Sequence, residues 1–151
     1  MKSNNLENSI LIKMPTSGYS GTPLLKKLGI KEGFVCKIIQ SPYNYIELFE
    51  SFPQNIVINP PQSGNFDFIH YFTKSAEQLL IDIHYLRNAI RQNGMIWISW
   101  PKKASGRKSD LTEDLIRSVA LSNGLVDVKV CAVDDIWSAL KLVIPVKERK
   151  K

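Results

Sequence analysis

Cysteine is scarce in this chain. Its two cysteines, Cys36 and Cys131, each sit in an apolar run with no Cys or His at ligand spacing. That argues against a disulfide framework, a zinc site and a catalytic thiol, and reads as two small buried side chains in a reducing, cytoplasmic setting. Long apolar runs are missing too. None approaches the roughly 18 residues of a membrane span, and Met1-Lys2-Ser3-Asn4 opens no secretion signal. Histidine is limited to His70, at a strand end, and His84, on a helix. No Ser-His-Asp or Cys-His arrangement can be read from them. Internal repeats and low-complexity stretches are absent as well.

What remains has ordinary globular usage. The chain has 151 residues, 44% of them hydrophobic and 23% charged, enough for one self-sufficient domain. The expected organisation is a flexible arm over 1–15, one α/β domain over 16–146 and a basic tail over 147–151. The net charge of +6 is concentrated. Lys102, Lys103, Arg107 and Lys108 share one loop, the tail adds a further excess, and the rest is near neutral. Basicity so placed does not trace a phosphate backbone, and the aromatics are not interleaved with it, so nucleic acid is not an expected partner.

The apolar pattern predicts the elements. Thr22-Pro23 opens a short helix through Leu28, closed by Gly29. Phe34 to Ile39 reads as a buried strand, and Tyr45, Ile46, Phe49 and Phe52 repeat at helical spacing. Ile56 to Ile58 and Phe66 to Phe72 are two further strands. A long helix runs from about Ser75 to Gln92, with Ser75 and Gln78 as its capping box. Met95 to Trp100 is a strand, and Asp110 to Ser122 a helix capped by Asp110 and Glu113, with Leu111, Leu115 and Val119 inward. Alternation around Val126 to Val130 and Leu140 to Ile144 marks an antiparallel hairpin at the sheet edge. The sum is a three-layer α/β fold, Rossmann-like, with a mostly parallel sheet and a closing hairpin.

That order resembles the class I S-adenosylmethionine methyltransferase fold. Tyr19-Ser20-Gly21-Thr22-Pro23-Leu24, Lys27-Leu28-Gly29-Ile30, Trp100-Pro101-Lys102-Lys103-Ala104-Ser105-Gly106 and Gly124 to Val130 are also similar to a bacterial family of uncharacterised proteins. The resemblance implies a glycine-rich turn after the first strand and an acidic residue ending the second. Here Ile39-Gln40-Ser41-Pro42 has no glycine, Asn59 carries no charge, and Asn59 to Asn65 is too short for a helical crossover of a dozen residues. The fold is expected to be truncated after its second strand, and no cofactor is expected, S-adenosylmethionine being the one candidate the resemblance implies. Asn59-Pro60-Pro61 is misplaced for the Asn-Pro-Pro-aromatic signature of amino-group methyltransferases, and Gln62 stands where the aromatic belongs; it reads as a rigid loop.

Ligands of open α/β sheets bind outside the carboxyl ends of the strands. The loops expected there offer Lys74, Lys102, Lys103, Arg107, Asp134, Trp137 and Tyr43 as a candidate anion site beside helix amino ends. The leading expectation is a non-catalytic, methyltransferase-like domain binding an anionic small molecule or a protein, with no membrane contact. The competing expectation is an S-adenosylmethionine-dependent methyltransferase with an atypical pocket.

Overall fold

The computed structural model describes residues 22–150. The expected arm over 1–15 and the first half of the Tyr19 to Leu24 motif lie outside them. Helix α1 is Leu24–Leu28, followed by β1 Val35–Ile39, β2 Val57–Ile58 and β3 Phe66–Phe72. Then come α2 Ala76–Ala89, β4 Ile90–Pro101, α3 Glu113–Ser122, β5 Val126–Ala132 and β6 Trp137–Val143. One sheet forms in the order β2-β1-β3-β4-β6-β5. Strands β2, β1, β3 and β4 pair in parallel, while β6 runs antiparallel to both β4 and β5. The mixed α/β, Rossmann-like fold expected from the sequence is present, with the apolar strands central and the alternating pair at one edge. The brief strand near 56–58 is parallel and forms the opposite edge. A seven-residue link from Asn59 to Asn65 joins it to β3, so the architecture is shortened after β2.

Helix α2 inserts Leu79, Ile83 and Leu86 against one sheet face, joined by Ile116, Val119 and Ala120 of α3 over Ile69, Ile96, Ile98, Leu140 and Leu142. The other face packs Leu28, Ile30 and Tyr45 onto Phe68, Phe72, Trp97, Trp137 and Ala139. Burying such side chains contributes on the order of 1.5–3 kcal/mol each. Trp97 is fully buried, and its indole N–H donates to the Leu28 carbonyl at 2.9 Å, tying α1 to the sheet centre.

Several boundaries differ from the sequence reading for physical reasons. Pro23 itself caps α1, accepting from the Lys26 and Lys27 amides, and Thr22 lies outside. Tyr45 to Phe52 makes only a short 3-10 turn over Tyr45–Leu48: Tyr45 meets Phe72 of the sheet edge-on, Phe49 packs on Tyr45, and Phe52 on Phe49. Helix α2 stops at Ala89, where Ile90 turns extended and pairs with Phe66. Within the strand, the residues up to Gly94 bulge before Met95 rejoins Phe68 in register. Gly94 permits this, since a Cβ there would lie 2.9 Å from the Phe66 carbonyl oxygen. Helix α3 begins three residues later than expected. Thr112 caps it, accepting from the Leu115 amide at 3.1 Å, and Ile116 takes the inward place assigned to Leu115. Asp110 instead accepts from the Ala76 amide at 2.8 Å and so caps α2 across the fold.

Candidate functional site

The chain runs from β1 to β2 on one side and then crosses to β3 on the other, so the sheet's switch point lies between β1 and β3. An open cleft of about 380 Å³ sits at the carboxyl ends of these two strands. Gln40, Pro42, Phe72, Thr73, Lys74, Ser75, Gln78 and Trp137 line it. A concave site at a switch point is where open α/β sheets hold their ligands.

Each lining residue is placed by local structure. Gln40, directly after β1, adopts φ 59°, a left-handed conformation that ordinary residues avoid at a cost of about 1–2 kcal/mol. That bend turns the chain at the point where the resemblance asks for glycine. Asn59, directly after β2, is also left-handed at φ 54°, and its Oδ1 accepts from the Ile38 amide at 2.7 Å. Phe72 ends β3, and Trp137, which opens β6, packs edge-on against it at 5.3 Å. Thr73 is buried, its amide donating to the Ser99 carbonyl at 3.0 Å and its hydroxyl accepting from the Ser75 amide at 3.1 Å. Lys74 is exposed on the rim.

The structure brings most of the expected site residues to this edge. The Tyr43 hydroxyl donates to Oδ2 of Asp134, while Oδ1 of Asp134 accepts from the Ile136 and Trp137 amides at 2.9 and 2.8 Å. The Tyr43 hydroxyl is pushed well above its ordinary range by burial first and then by Asp134, with Arg107 opposing. Arg107 is thus within electrostatic reach of this pair. The Lys102 amide donates to the Ile136 carbonyl at 2.6 Å, and Ser109 donates to the Lys74 carbonyl at 3.1 Å, drawing the basic loop onto the same edge. Lys103 is exposed in a 3-10 turn over Lys103–Ser105. Trp137 is buried, only 5% exposed, and forms a wall of the cleft.

The helix amino ends contribute less than expected. Ser75 and Asp110 cap α2, and α3 carries Thr112, Glu113 and Asp114 in its own cap and first turn. Positive potential at the rim therefore comes from Lys74, Lys103 and Arg107 rather than from helix dipoles. Sequence reasoning missed Gln40, Thr73, Ser75 and Gln78. They belong to elements that are remote along the chain, and only the strand order joins them.

Beneath the cleft lies a feature no spacing revealed. His70 is fully buried, its Nδ1 2.6 Å from the Tyr45 hydroxyl and its Nε2 2.7 Å from the Ser99 hydroxyl. Its ring stacks on Phe72 at 4.2 Å. Burial lowers its pKa to about 3, so the imidazole is neutral and bridges two hydroxyls. Cys36 is buried and its thiol is pushed up to about 12 by burial and then by Asp67; Cys131 is half-buried and also raised by burial. Neither is a ready nucleophile. Among the described residues no group of three His, Cys, Asp or Glu side chains is gathered to hold a metal, and no helix is long and apolar enough to cross a membrane.

No family model and no curated protein matches this chain. Solved structures do. A S-adenosylmethionine (SAM) dependent methyltransferase from Aquifex aeolicus superposes with a TM-score of 0.54 at 14% identity, over 80% of this chain and 87% of that one. The magnesium protoporphyrin IX methyltransferase from Synechocystis PCC 6803 with bound SAM superposes with a TM-score of 0.53 at 11% identity, over 80% and 74%. The fold is methyltransferase-like. The expectation of no cofactor is thereby corrected. It rested on the missing glycine and acid, yet neighbours sharing this fold include one described with bound SAM, and Gln40 here supplies the bend without glycine.

Proposed function

We propose that this chain binds an S-adenosyl compound, SAM or its demethylated product, in the cleft between β1 and β3, and an anionic partner group on the basic rim. The cleft's position at the switch point carries this reading. The residues present fit such a ligand. Gln40 lets the backbone pass close to the cleft, as the glycine-rich turn of the resembled fold does. Asn59, directly after β2, stands where the resembled fold carries its acidic residue; its Oδ1 holds the Ile38 amide, and its side-chain nitrogen would be the donor to a ribose hydroxyl reaching that strand end. Phe72 and Trp137 provide apolar floor, and Lys74 provides an ammonium for the ligand's carboxylate.

Lys102, Lys103 and Arg107, with Tyr43 and Asp134 fastening the adjoining loop, make the rim for an anionic small molecule or protein group. Among the described residues no carboxylate or imidazole lines the cleft to serve as a general base. The function this supports is binding rather than catalysis. The reading extends to the uncharacterised bacterial family that the motifs resemble. Its Trp100 to Gly106 stretch forms the rim, and Gly124 to Val130 leads into β5.

Thermal melting with SAM, its demethylated product, nucleotides and phosphate tests the proposal. Selective stabilisation by the S-adenosyl compounds supports it, because binding to the folded state alone raises stability. Stabilisation by none of them overturns it. Transfer of a labelled methyl group to an added acceptor would replace the binding reading with an active methyltransferase.

A further inference from the structure

The two terminal strands carry a juxtaposition that folding alone does not favour. Lys129 of β5 and Lys141 of β6 are directly opposite each other in the antiparallel ladder. Like charges so paired repel and destabilise a sheet. They share a sheet face with Cys131 and Ala139, onto which Leu28 and Ile30 pack. Those two apolar residues are flanked by Lys27 and Lys31, which therefore arrive at the same face. The electrostatics agree. Lys141 is lowered by burial, then by Lys129 and then by Lys31, and Lys27 and Lys129 both act on Cys131.

Four ammonium groups from three separate stretches of chain thus gather on one face. Among the described residues none of the four forms an ion pair; the carboxylates in ion pairs serve Arg91 and Arg117. The patch is distinct from the cleft rim, because Lys141 lies four residues along β6 from Trp137, roughly 13 Å at about 3.3 Å per residue.

We infer that this face binds the phosphate backbone of a nucleic-acid duplex. Lysine meets phosphate as a point charge, whereas protein–protein interfaces are depleted in lysine and enriched in arginine, and among the described residues the patch holds lysines and no arginine. Trp97, opposite Lys141, is fully buried, so among the described residues the patch offers no exposed stacking platform for single-stranded bases. Backbone contacts of this kind position a duplex without reading its sequence. The inference is independent of the cleft's ligand and stands or falls separately from it.

The test is fluorescence anisotropy of the full chain with a labelled duplex of mixed sequence, across a range of salt concentrations. Three proteins are compared: the parent, Lys129→Gln/Lys141→Gln, and the rim variant Lys103→Gln/Arg107→Gln. The parent should bind with a log–log salt slope of about −3 to −4, since each neutralised phosphate contributes about −0.9. The patch variant should bind at least tenfold more weakly, with its slope reduced by about two. Its melting temperature should be no lower than the parent's, because a repulsive pair has been removed. The rim variant should bind like the parent. No binding by the parent, an unchanged slope in the patch variant, loss confined to the rim variant, or equal binding of a poly-glutamate peptide overturns the inference.

Discussion

The hydroxyl of Tyr43 donates to the carboxylate of Asp134, joining residues 91 positions apart in the chain. This one bond ties the loop after β1 to the turn between β5 and β6, from the two sides of the cleft. The same carboxylate holds the Ile136 and Trp137 amides, so one aspartate sets both the turn and the strap.

Tyr43→Phe should therefore destabilise the protein by about 1.5–3 kcal/mol, the range for a hydrogen bond to a charged group, and loosen ligand binding at the cleft. Chemical denaturation with and without ligand measures both. Unchanged stability would show that solvent serves Asp134 equally well.

His70 makes stability depend on acid. Its folded pKa, about 3, lies below the ordinary 6.5, so the unfolded chain takes up the proton first. The His70 contribution is complete above pH 6.5 and is lost as pH falls toward 3, with a slope of at most about 1.4 kcal/mol per pH unit. Denaturation midpoints across this window should fall with pH in the parent and flatten in His70→Asn. An equally steep fall in the variant would assign the acid sensitivity to other groups.

Gly94→Ala should destabilise by about 1–3 kcal/mol, because the new methyl meets the Phe66 carbonyl and both polar backbone atoms of Arg91, none of which can swing away. Thermal melting reads this directly. A neutral result would mean that the bulge at 91–94 relaxes freely.

The sequence carried the architecture because burial on both faces leaves continuous apolar runs. Phe66 to Phe72 was legible to the residue, and the capping of α2 by Ser75 was visible in Ser75 and Gln78. What stayed hidden was long-range. Asp110 had the spacing of a cap for α3 but serves α2, since capping is a matter of position in space and its acceptor reaches Ala76 first. Tyr45, His70 and Ser99 meet only through strand order, and the pairing of Lys129 with Lys141 depends on register. Gln40 shows a further limit: a left-handed bend was expected only of glycine, yet the surrounding fold imposes it on glutamine.

Calorimetric titration of SAM and its demethylated product into the parent and into Lys74→Ala asks directly whether the cleft holds an S-adenosyl compound. Saturable one-to-one binding by the parent is expected, with a roughly tenfold or greater loss in the variant, the effect of removing one charge-assisted contact. Absence of binding by the parent, or equal affinity in both proteins, would contradict it.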